Sequence, residues 1–462
     1  MKKNIITATD SYKFSHYNMY PTGTQRVYSY FEARNGAKYN KTLFYGLQYI
    51  LKEYLAGVVV TREKIDAAER LSLAHFGTLD GTFNRPMWER IVDVWGGKLP
   101  VTIKAVPEGT LVNIDNVMMT VVNNDPLCWQ LTNHLETILS QVWYPSTVAT
   151  LSYEVKRLIA DYAKWTSSSE ALVPFSLHDF GFRGTECQES AGIGGSAHII
   201  NFLGTDTVIG MEFAMDYYGA SLDGLAYSVK ATEHSIMTSL GRAGEKQLVA
   251  DLLAKNPDGI LAMVVDSYND GEFVRMVCTE FRDQILNRNG KIVFRPDSGD
   301  PVSTSLKIIN IIAECLGYST NEKGYKELPS CVGMLWGDGI DYDGVRNILF
   351  AFRNHGWASC NIIFGMGGGL LQKVNRDTQR FAFKCSAQQR YGNWIDIFKQ
   401  PLDSSKNSKR GRLKLSKNSE GNFFTVKDDS EDYPDYLVTV FENGEILKDY
   451  SFAEVRANAA KG

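Results

Sequence analysis

The sequence predicts an α/β protein built on a parallel sheet, with an antiparallel β-rich segment after it. From about Ser176 onward, short apolar runs alternate with segments of helical periodicity, a pattern typical of strands joined by crossover helices. The apolar runs end abruptly in charged residues or glycine, so polar groups gather at the carboxyl ends of the strands. A β/α barrel brings those ends to one rim, and a doubly wound open sheet also binds ligands there, so the pattern fits both.

Helical segments precede this alternation. Apolar residues recur at helical spacing over residues 44–55 and again after Thr61. A further helix is predicted to open at Pro145-Ser146-Thr147, with Ser146 as its N-cap.

Four apolar runs in the second half of the chain are predicted to be buried parallel strands. They cover residues 260–265, 291–294, 332–336 and 361–364. Helices are predicted to follow the first three, over residues 273–286, 302–316 and 345–352.

After about Gln389 the helical pattern stops and antiparallel β-structure is predicted. Residues 403–412 are polar and basic, and residues 413–426 alternate around Glu420-Gly421. Residues 437–452 carry Asn443-Gly444 between two strand-like runs, which is a strong hairpin signal. We expect this tail to pack against the N-terminal region.

The composition excludes several classes of protein. The 462 residues carry 49 Lys and Arg against 53 Asp and Glu, whereas a nucleic-acid-binding protein has a basic surplus. The N-terminus lacks the apolar stretch of a signal peptide, and no segment is apolar for the length of a membrane span. Seven widely spaced cysteines without a Cys-x-x-Cys pair indicate reduced thiols and no zinc site. An anionic substrate must therefore meet a local cluster of positive groups.

Two candidate clusters offer an aromatic ring and a histidine. In residues 178–184 (HDFGFRG), Phe180 can stack on a flat ring and Arg183 can bind a phosphate, although a core phenylalanine beside a surface arginine explains the same residues. In Glu233-His234-Ser235, the carboxylate can orient His234 to meet or carry a phosphate, or the pair is an idle surface pair.

Two further clusters lie at predicted strand ends. Arg295 and Asp297 can hold a phosphate and either an amine or hydrated magnesium, or they mark a simple turn. The glycines of residues 337–339 (GDG) and 365–369 (GMGGG) let backbone N–H groups close on a phosphate. Asp338 can accept hydrogen bonds from ribose hydroxyls, and Arg376 can reinforce the phosphate contact. A P-loop and a serine nucleophile elbow are both missing.

These clusters, with ATDSYK at residues 8–13, FYGLQYI at 44–50 and GTDTV at 204–208, resemble the nicotinamide phosphoribosyltransferase family across nearly the whole chain. The resemblance implies a type II phosphoribosyltransferase fold, an irregular β/α barrel with a second β-rich domain built from the N- and C-terminal segments. The corresponding domains are an N-terminal mixed domain at 1–174, completed by a β segment at 390–462, and the barrel phosphoribosyltransferase domain at 175–389.

The activity that the resemblance implies is a pentosyl transfer in NAD salvage. Such a glycosyltransferase makes nicotinamide mononucleotide and diphosphate from nicotinamide and 5-phosphoribosyl 1-diphosphate. The resemblance also implies a cytoplasmic homodimer with shared active sites, Mg²⁺ carried on the substrate diphosphate, and ATP as an optional coupled co-substrate. Neither a nucleic acid nor a membrane is an expected partner.

The resemblance assigns roles to individual residues as well. Phe180 and Tyr12 of the partner subunit would enclose the nicotinamide ring, Asp206 would accept its carboxamide N–H, and Ser228 lies nearby. His234 matches a phosphorylatable histidine, and with Arg295 and Asp297 it would act in catalysis. The residues expected to bind phosphate, diphosphate or ribose are Arg34, Arg183, His234, Arg295, Asp297, Gly337, Asp338, Gly367, Gly368 and Arg376.

Three positions depart from the family pattern. Asn269 stands where the family has a carboxylate, which bears on ATP coupling, and Asp270 is a candidate replacement. Lys230 replaces a proline and Met366 a small polar residue, which would alter affinity and leave the reaction unchanged.

Three other functions fit parts of the pattern. A nicotinate phosphoribosyltransferase shares the chemistry, but the carboxylate of Asp206 would repel the carboxylate of nicotinate. A catalytically silent binding protein would share the scaffold. A barrel hydrolase of phosphorylated sugars would turn over without any base.

Overall fold

The computed structural model describes residues 3–400 and 408–462, so residues 403–407 of the predicted basic segment lie outside the described part. In chain order the strands are β1 Thr24–Ala33, β2 Lys41–Leu43, β3 Val101–Ala105, β4 Leu111–Asn113, β5 Asn116–Asn123, β6 Leu177–Asp179, β7 Gly204–Thr205, β8 Lys230–Ala231, β9 Gly259–Val264, β10 Gly290–Arg295, β11 Ser319–Thr320, β12 Lys326–Glu327, β13 Val332–Trp336, β14 Ile362–Met366, β15 Ala382–Arg390, β16 Asn393–Asp396, β17 Leu413–Lys417, β18 Phe423–Lys427, β19 Val438–Glu442 and β20 Glu445–Ile446.

The helices of the described residues are α1 Leu47–Ile50, α2 Arg62–Phe76, α3 Arg85–Trp95, α4 Leu131–His134, α5 Glu136–Ser140, α6 Trp143–Thr166, α7 Gln188–His198, α8 Val208–Tyr218, α9 His234–Met237, α10 Glu245–Lys255, α11 Asp270–Glu280, α12 Arg282–Leu286, α13 Pro301–Leu316, α14 Tyr342–Asn354, α15 Gly368–Leu371 and α16 Phe452–Ala459. No helix among them is long and apolar enough to cross a bilayer.

The chain divides into two compact units. One, the barrel unit, comprises Leu151–Phe213 and Ser221–Val374. The other, the sheet unit, comprises Met1–Thr150, Ala214–Ala220 and Asn375–Gly462. The domain division expected at residues 174 and 389 stays a prediction.

A seven-stranded parallel sheet forms the barrel unit, in the order β7-β6-β14-β13-β10-β9-β8. The predicted strands at 260–265, 291–294, 332–336 and 361–364 are β9, β10, β13 and β14, so these four predictions are confirmed. Tyr227, just before β8, bonds back to the opposite edge: its N–H donates to Leu203 O at 2.7 Å, and its carbonyl accepts from Thr205 N at 3.0 Å. One segment therefore joins both edges of the sheet, which favours the barrel over the open sheet.

The crossover helices follow the predicted pattern closely. Residues 273–286 form α11 and α12, residues 302–316 lie in α13, and residues 345–352 lie in α14. The apolar faces of α13 and α14 are buried, as amphipathic crossover helices require. These helices cover the outer face of the sheet, so the polar residues at the carboxyl ends of the strands remain on the rim.

Strands from both ends of the chain build the sheet unit. Its seven-stranded sheet runs β16-β15-β1-β5-β3-β19-β20, with β1 paired antiparallel to both β15 and β5. The antiparallel β-structure predicted over residues 413–426 is the hairpin β17–β18, and the hairpin predicted around Asn443-Gly444 is confirmed as β19–β20. In the second hairpin, Asn443 and Gly444 have φ of 51° and 86°, the positive values that a type I′ turn needs.

Three predictions about helix ends are wrong. Helix α6 begins at Trp143, so Ser146 is not an N-cap: its hydroxyl accepts from Tyr45 N at 3.1 Å and donates to Tyr45 O at 3.0 Å. Pro145 is compatible with this start, because first-turn N–H groups have no intrahelical acceptor. The helix predicted from residue 44 begins at Leu47, since Phe44 N bonds to Thr110 O. The predicted β-tail also ends in a helix, α16.

Candidate active site

A cavity of about 900 Å³ opens at the carboxyl ends of the barrel strands. Residues after β6, β7, β8, β10, β13 and β14 contribute to it, as convergence of parallel strand ends requires. The lining residues predicted from the sequence are Phe180, Arg183, Asp206, His234, Arg295, Asp297, Gly337, Asp338, Gly367 and Gly368. The structure therefore brings ten of the expected site residues to one cavity within the barrel unit.

An aromatic ring and a carboxylate form one wall. Phe180 directly follows β6, and its backbone N–H donates to Met366 O at 3.0 Å. Asp206 follows β7, and its N–H donates to Asp179 O at 2.9 Å. The exposed Ser228 does not line the cavity itself, but its hydroxyl donates to Asp206 Oδ1 at 2.6 Å and so orients that carboxylate.

Cations and carboxylates face each other elsewhere in the cavity. Arg295 is half-buried, with Nη2 donating to Thr232 O at 3.2 Å and Nε buried without a hydrogen-bond partner. His234 Nε2 lies 3.2 Å from Asp266 Oδ1, which holds the orientation of the half-exposed imidazole. Burial raises the pKa of Asp297, and the neighbouring Arg295 offsets part of the rise.

Gly368 and Gly369, which follow β14, are glycine for different physical reasons. A Cβ at Gly369 would lie 2.3 Å from Ile340 O, so packing alone demands glycine there. A Cβ at Gly368 would meet nothing closer than 3.9 Å. Gly368 is exposed to the cavity, so close approach of a ligand explains it better than packing does.

Three predicted site residues lie in the sheet unit. Tyr12 is 54% exposed, and its ring contacts His16 edge-on. Arg34 donates from Nε to Arg380 O at 3.1 Å. Arg376 is largely exposed, with Asp377 3.9 Å away. Their expected roles at a shared site stay predictions.

Some lining residues were not singled out from the sequence. Lys373 lines the cavity and adds a third long cationic side chain beside Arg183 and Arg295. Its signal was its place just after the glycine-rich segment. Thr207 and Phe182 also contribute to the lining, and a pattern of residue types gives no sign of either.

The positions that depart from the family pattern have clear local environments. Asn269 is the N-cap of α11, accepting from Glu272 N at 3.0 Å, and Asp270 forms an ion pair with Lys307 at 2.6 Å. Asp270 is thus already engaged. Lys230 donates to Asn256 Oδ1 at 3.1 Å, while Met366 is fully buried.

This arrangement can bind a flat ring beside an anionic sugar phosphate. The ring and carboxylate of one wall suit a heteroaromatic amide. The arginines and glycines suit phosphate groups, which they meet as charge-assisted and backbone donors. The fold and the cavity together define a phosphoribosyltransferase of the type II class.

Comparisons with known proteins agree with that class. Residues 175–445 match the model of the nicotinate phosphoribosyltransferase (NAPRTase) family, and residues 4–103 match that of the nicotinamide phosphoribosyltransferase N-terminal domain. Nicotinamide phosphoribosyltransferase of Xanthomonas campestris pv. campestris (strain 8004) is 43% identical, covering 99% of this chain and 98% of the relative. That of Acinetobacter baylyi is 32% identical, covering 99% and 97%. The chain belongs to the nicotinate phosphoribosyltransferase family, and within it to the nicotinamide phosphoribosyltransferases.

Two solved structures share the fold. Nicotinate-nucleotide pyrophosphorylase from Pyrococcus furiosus has a TM-score of 0.62 at 15% identity, covering 99% of this chain and 95% of that one. Human nicotinic acid phosphoribosyltransferase has a TM-score of 0.58 at 16% identity, covering 98% and 93%. At these identities the likeness concerns the fold, and it extends over nearly the whole chain.

The buried carboxyl of Asp179, the last residue of β6 and next to Phe180, should make the free energy of unfolding depend on pH. Its Oδ1 accepts from Gly181 N at 2.7 Å, its Oδ2 is buried without a partner, and burial raises its pKa to about 7. An unfolded aspartate has a pKa of about 4. Between these values only the folded state keeps the proton, so the free energy of unfolding falls as pH rises through this window.

We expect the Tm of the native protein minus that of Asp179→Asn to fall by several degrees between about pH 5 and about pH 8, because the variant lacks the carboxyl that titrates there and all other groups are shared. Thermal melting at stepped pH measures this. The exposed Asp223→Asn serves as control, with a Tm difference that does not change. If the Tm difference between the native protein and Asp179→Asn were the same at the two ends of this pH range, the raised pKa of Asp179 would be contradicted.

Proposed function

We propose that this chain transfers the phosphoribosyl group of 5-phosphoribosyl 1-diphosphate to nicotinamide, forming nicotinamide mononucleotide and releasing diphosphate in NAD salvage. The observation that carries this proposal is the shared cavity, in which Phe180 and Asp206 face the same space as Arg183, Arg295 and the glycine-rich strand ends. The names of the two full-length relatives support the same reaction.

The reaction is a displacement at the anomeric carbon. The pyridine nitrogen forms the new C–N bond as the C–O bond to diphosphate breaks, and that bonding pair leaves with the diphosphate. Negative charge grows on the leaving oxygens while the ribose becomes oxocarbenium-like. Catalysis by this cavity is therefore positioning plus electrostatic stabilisation, with Arg183 and Arg295 as the cationic groups.

The Asp206 carboxylate accounts for the choice of base. A nicotinamide N–H donates to it, whereas the carboxylate of nicotinate is repelled by it. Ser228 already donates to Oδ1, which holds the acceptor in place before the base arrives. Nicotinate is the second candidate substrate, because it appears in the description of the matching family and in the names of the similar solved structures.

Magnesium fits the carboxylates of this cavity. Among the described residues no group of three or more His, Cys, Asp or Glu side chains is placed to hold a metal ion. Asp297 and Asp338 both face the cavity, which suits an ion held by one or two carboxylates and by substrate phosphates. Bound there, Mg²⁺ would neutralise charge on the departing diphosphate.

The remaining parts of the proposal concern ATP, assembly and location. His234, oriented by Asp266, is the residue through which ATP hydrolysis would be coupled to synthesis, by transient phosphorylation of the imidazole. A cytoplasmic homodimer would let Tyr12 and Arg34 of one subunit serve the site of the other. Tyr12 is 54% exposed, and the hydrogen bond from Arg34 to Arg380 O uses Nε. Both observations support a contribution of these side chains to the partner's site.

The reaction is tested by measuring mononucleotide and diphosphate from 5-phosphoribosyl 1-diphosphate with nicotinamide, with nicotinate, and without base. We expect product with nicotinamide and little with nicotinate. Equal use of both bases would defeat the role given to Asp206. Diphosphate release without base would indicate a hydrolase, and no turnover a silent binding protein.

For Asp206→Asn we expect the ratio of kcat/KM for nicotinamide to that for nicotinate to fall roughly 10- to 100-fold, the equivalent of one hydrogen bond to a charged group. Steady-state kinetics with both bases measure the ratio. Asp223→Asn, an exposed aspartate of the same unit, is the matched control and should leave it unchanged. An unaltered ratio in Asp206→Asn would exclude this residue as the selector.

For His234→Ala we expect ATP to lose its effect on the rate, because the imidazole that carries the phosphoryl group is gone. The measurement is the rate of mononucleotide formation with and without ATP. His355→Ala removes an exposed histidine at the end of α14 and should keep the native ATP response. A full response in His234→Ala would rule out its assigned role.

A further inference from the structure

The side chains inside the barrel are arranged in levels. Ile363 of β14 and its register partner Leu335 of β13 point inward and belong to one apolar cluster, against which the Phe180 ring also packs. Successive side chains of a strand alternate between its faces, so the next inward positions on these strands are Gly365 and Gly337. At this higher level two neighbouring strands therefore present no side chain to the barrel interior.

The ring of Phe180 fills the space that these glycines leave. A Cβ built on Gly365 would lie 2.0 Å from Phe180 Cε2, 2.3 Å from Cδ2 and 2.7 Å from Cζ. A Cβ on Gly337 would lie 3.1 Å from Phe180 Cε2. The ring thus reaches from the end of β6 across β14 to β13, lying directly on bare backbone.

The main chain that carries the ring is held on both sides. Phe180 N donates to Met366 O, and Gly181 N donates to Asp179 Oδ1. A Cβ on Gly181 would lie 2.6 Å from Leu371 Cδ1, so this backbone is also tightly packed. A new side chain beneath the ring would therefore be accommodated by movement of the ring more than of the chain.

We propose that Gly365 is a positioning residue for the base: its missing side chain sets the depth at which the Phe180 ring lies, and hence the depth of the slot for the pyridine ring. This inference rests on the proposed function, in which Phe180 stacks on nicotinamide. It adds a determinant of base binding that lies beneath the ring and does not line the cavity.

A methyl group at Gly365 should move the ring by about 1.5 Å, the difference between 2.0 Å and the roughly 3.5 Å of a carbon–carbon contact. The displaced ring would enter the space meant for the base. The cationic groups expected to meet the diphosphate, His234 and Arg295, lie after β8 and on β10. The KM for nicotinamide should therefore change much more than the KM for 5-phosphoribosyl 1-diphosphate.

The test is a double-mutant cycle between Gly365→Ala and Phe180→Ala. We expect Gly365→Ala alone to raise the KM for nicotinamide at least about tenfold, with less than about threefold change for the other substrate. Once Phe180→Ala has removed the ring, Gly365→Ala should have no further effect. Gly333→Ala on β13 is the control, because its Cβ would meet nothing closer than Lys291 Cδ at 3.5 Å, and both KM values should stay native.

Additive effects of the two substitutions, or a native KM for nicotinamide in Gly365→Ala, would overturn the proposal. If Gly365→Ala folds poorly, the same cycle is measured by thermal melting. Gly365→Ala should then lower Tm in the native background and not in Phe180→Ala, and equal lowering in both would overturn it.

Crystal structures of the native protein and of Gly365→Ala separate this proposal from the proposed reaction. A displaced Phe180 ring supports the positioning role even if nicotinamide proves not to be the substrate. A ring that keeps its place overturns the role even if the native protein makes nicotinamide mononucleotide.

Discussion

Between β7 and β9, the chain from Tyr227 to Ala231 hydrogen-bonds to both neighbours, and this closes the parallel sheet. Because every strand runs the same way, closure carries all the carboxyl ends to one rim. Residues as distant in sequence as Phe180 and Gly368 thereby line one cavity. An open sheet would leave β7 and β8 as unpaired edges and would separate Asp206 from His234.

Within that rim, positive charge is concentrated locally, although the chain as a whole is acidic. Arg183, Arg295 and Lys373 bring positive charge to the cavity, although the formal net charge of the whole protein is -4. Arg295 is held in place by the backbone carbonyl of Thr232, and its charge acts on the neighbouring carboxyl of Asp297. The carboxylates that also face the cavity suit a magnesium-bound diphosphate better than a free one.

Much of this could be predicted from local patterns, and the failures have physical causes. The four central strands, the β-structure over residues 413–426 and the hairpin at Asn443-Gly444 were predictable because apolar runs, alternation and Asn-Gly turns are local signals. Ser146 was misassigned because its hydroxyl bonds to Tyr45, a residue far away in sequence. Helix α16 did carry a local signal, the Ser451–Glu454 capping box, which the β pattern around it obscured.

The sequence by itself determined which residue types are present and in what order. This was enough to predict the family, the barrel and most of the predicted site residues that line the cavity. Only the tertiary structure decided how those residues act on each other. That Phe180 lies on Gly365, that burial raises the pKa of Asp179, and that Asp270 is engaged by Lys307 all depend on contacts across separate strands and helices. Steric fit and desolvation arise from packing in three dimensions, so no periodicity or motif along the chain reports them.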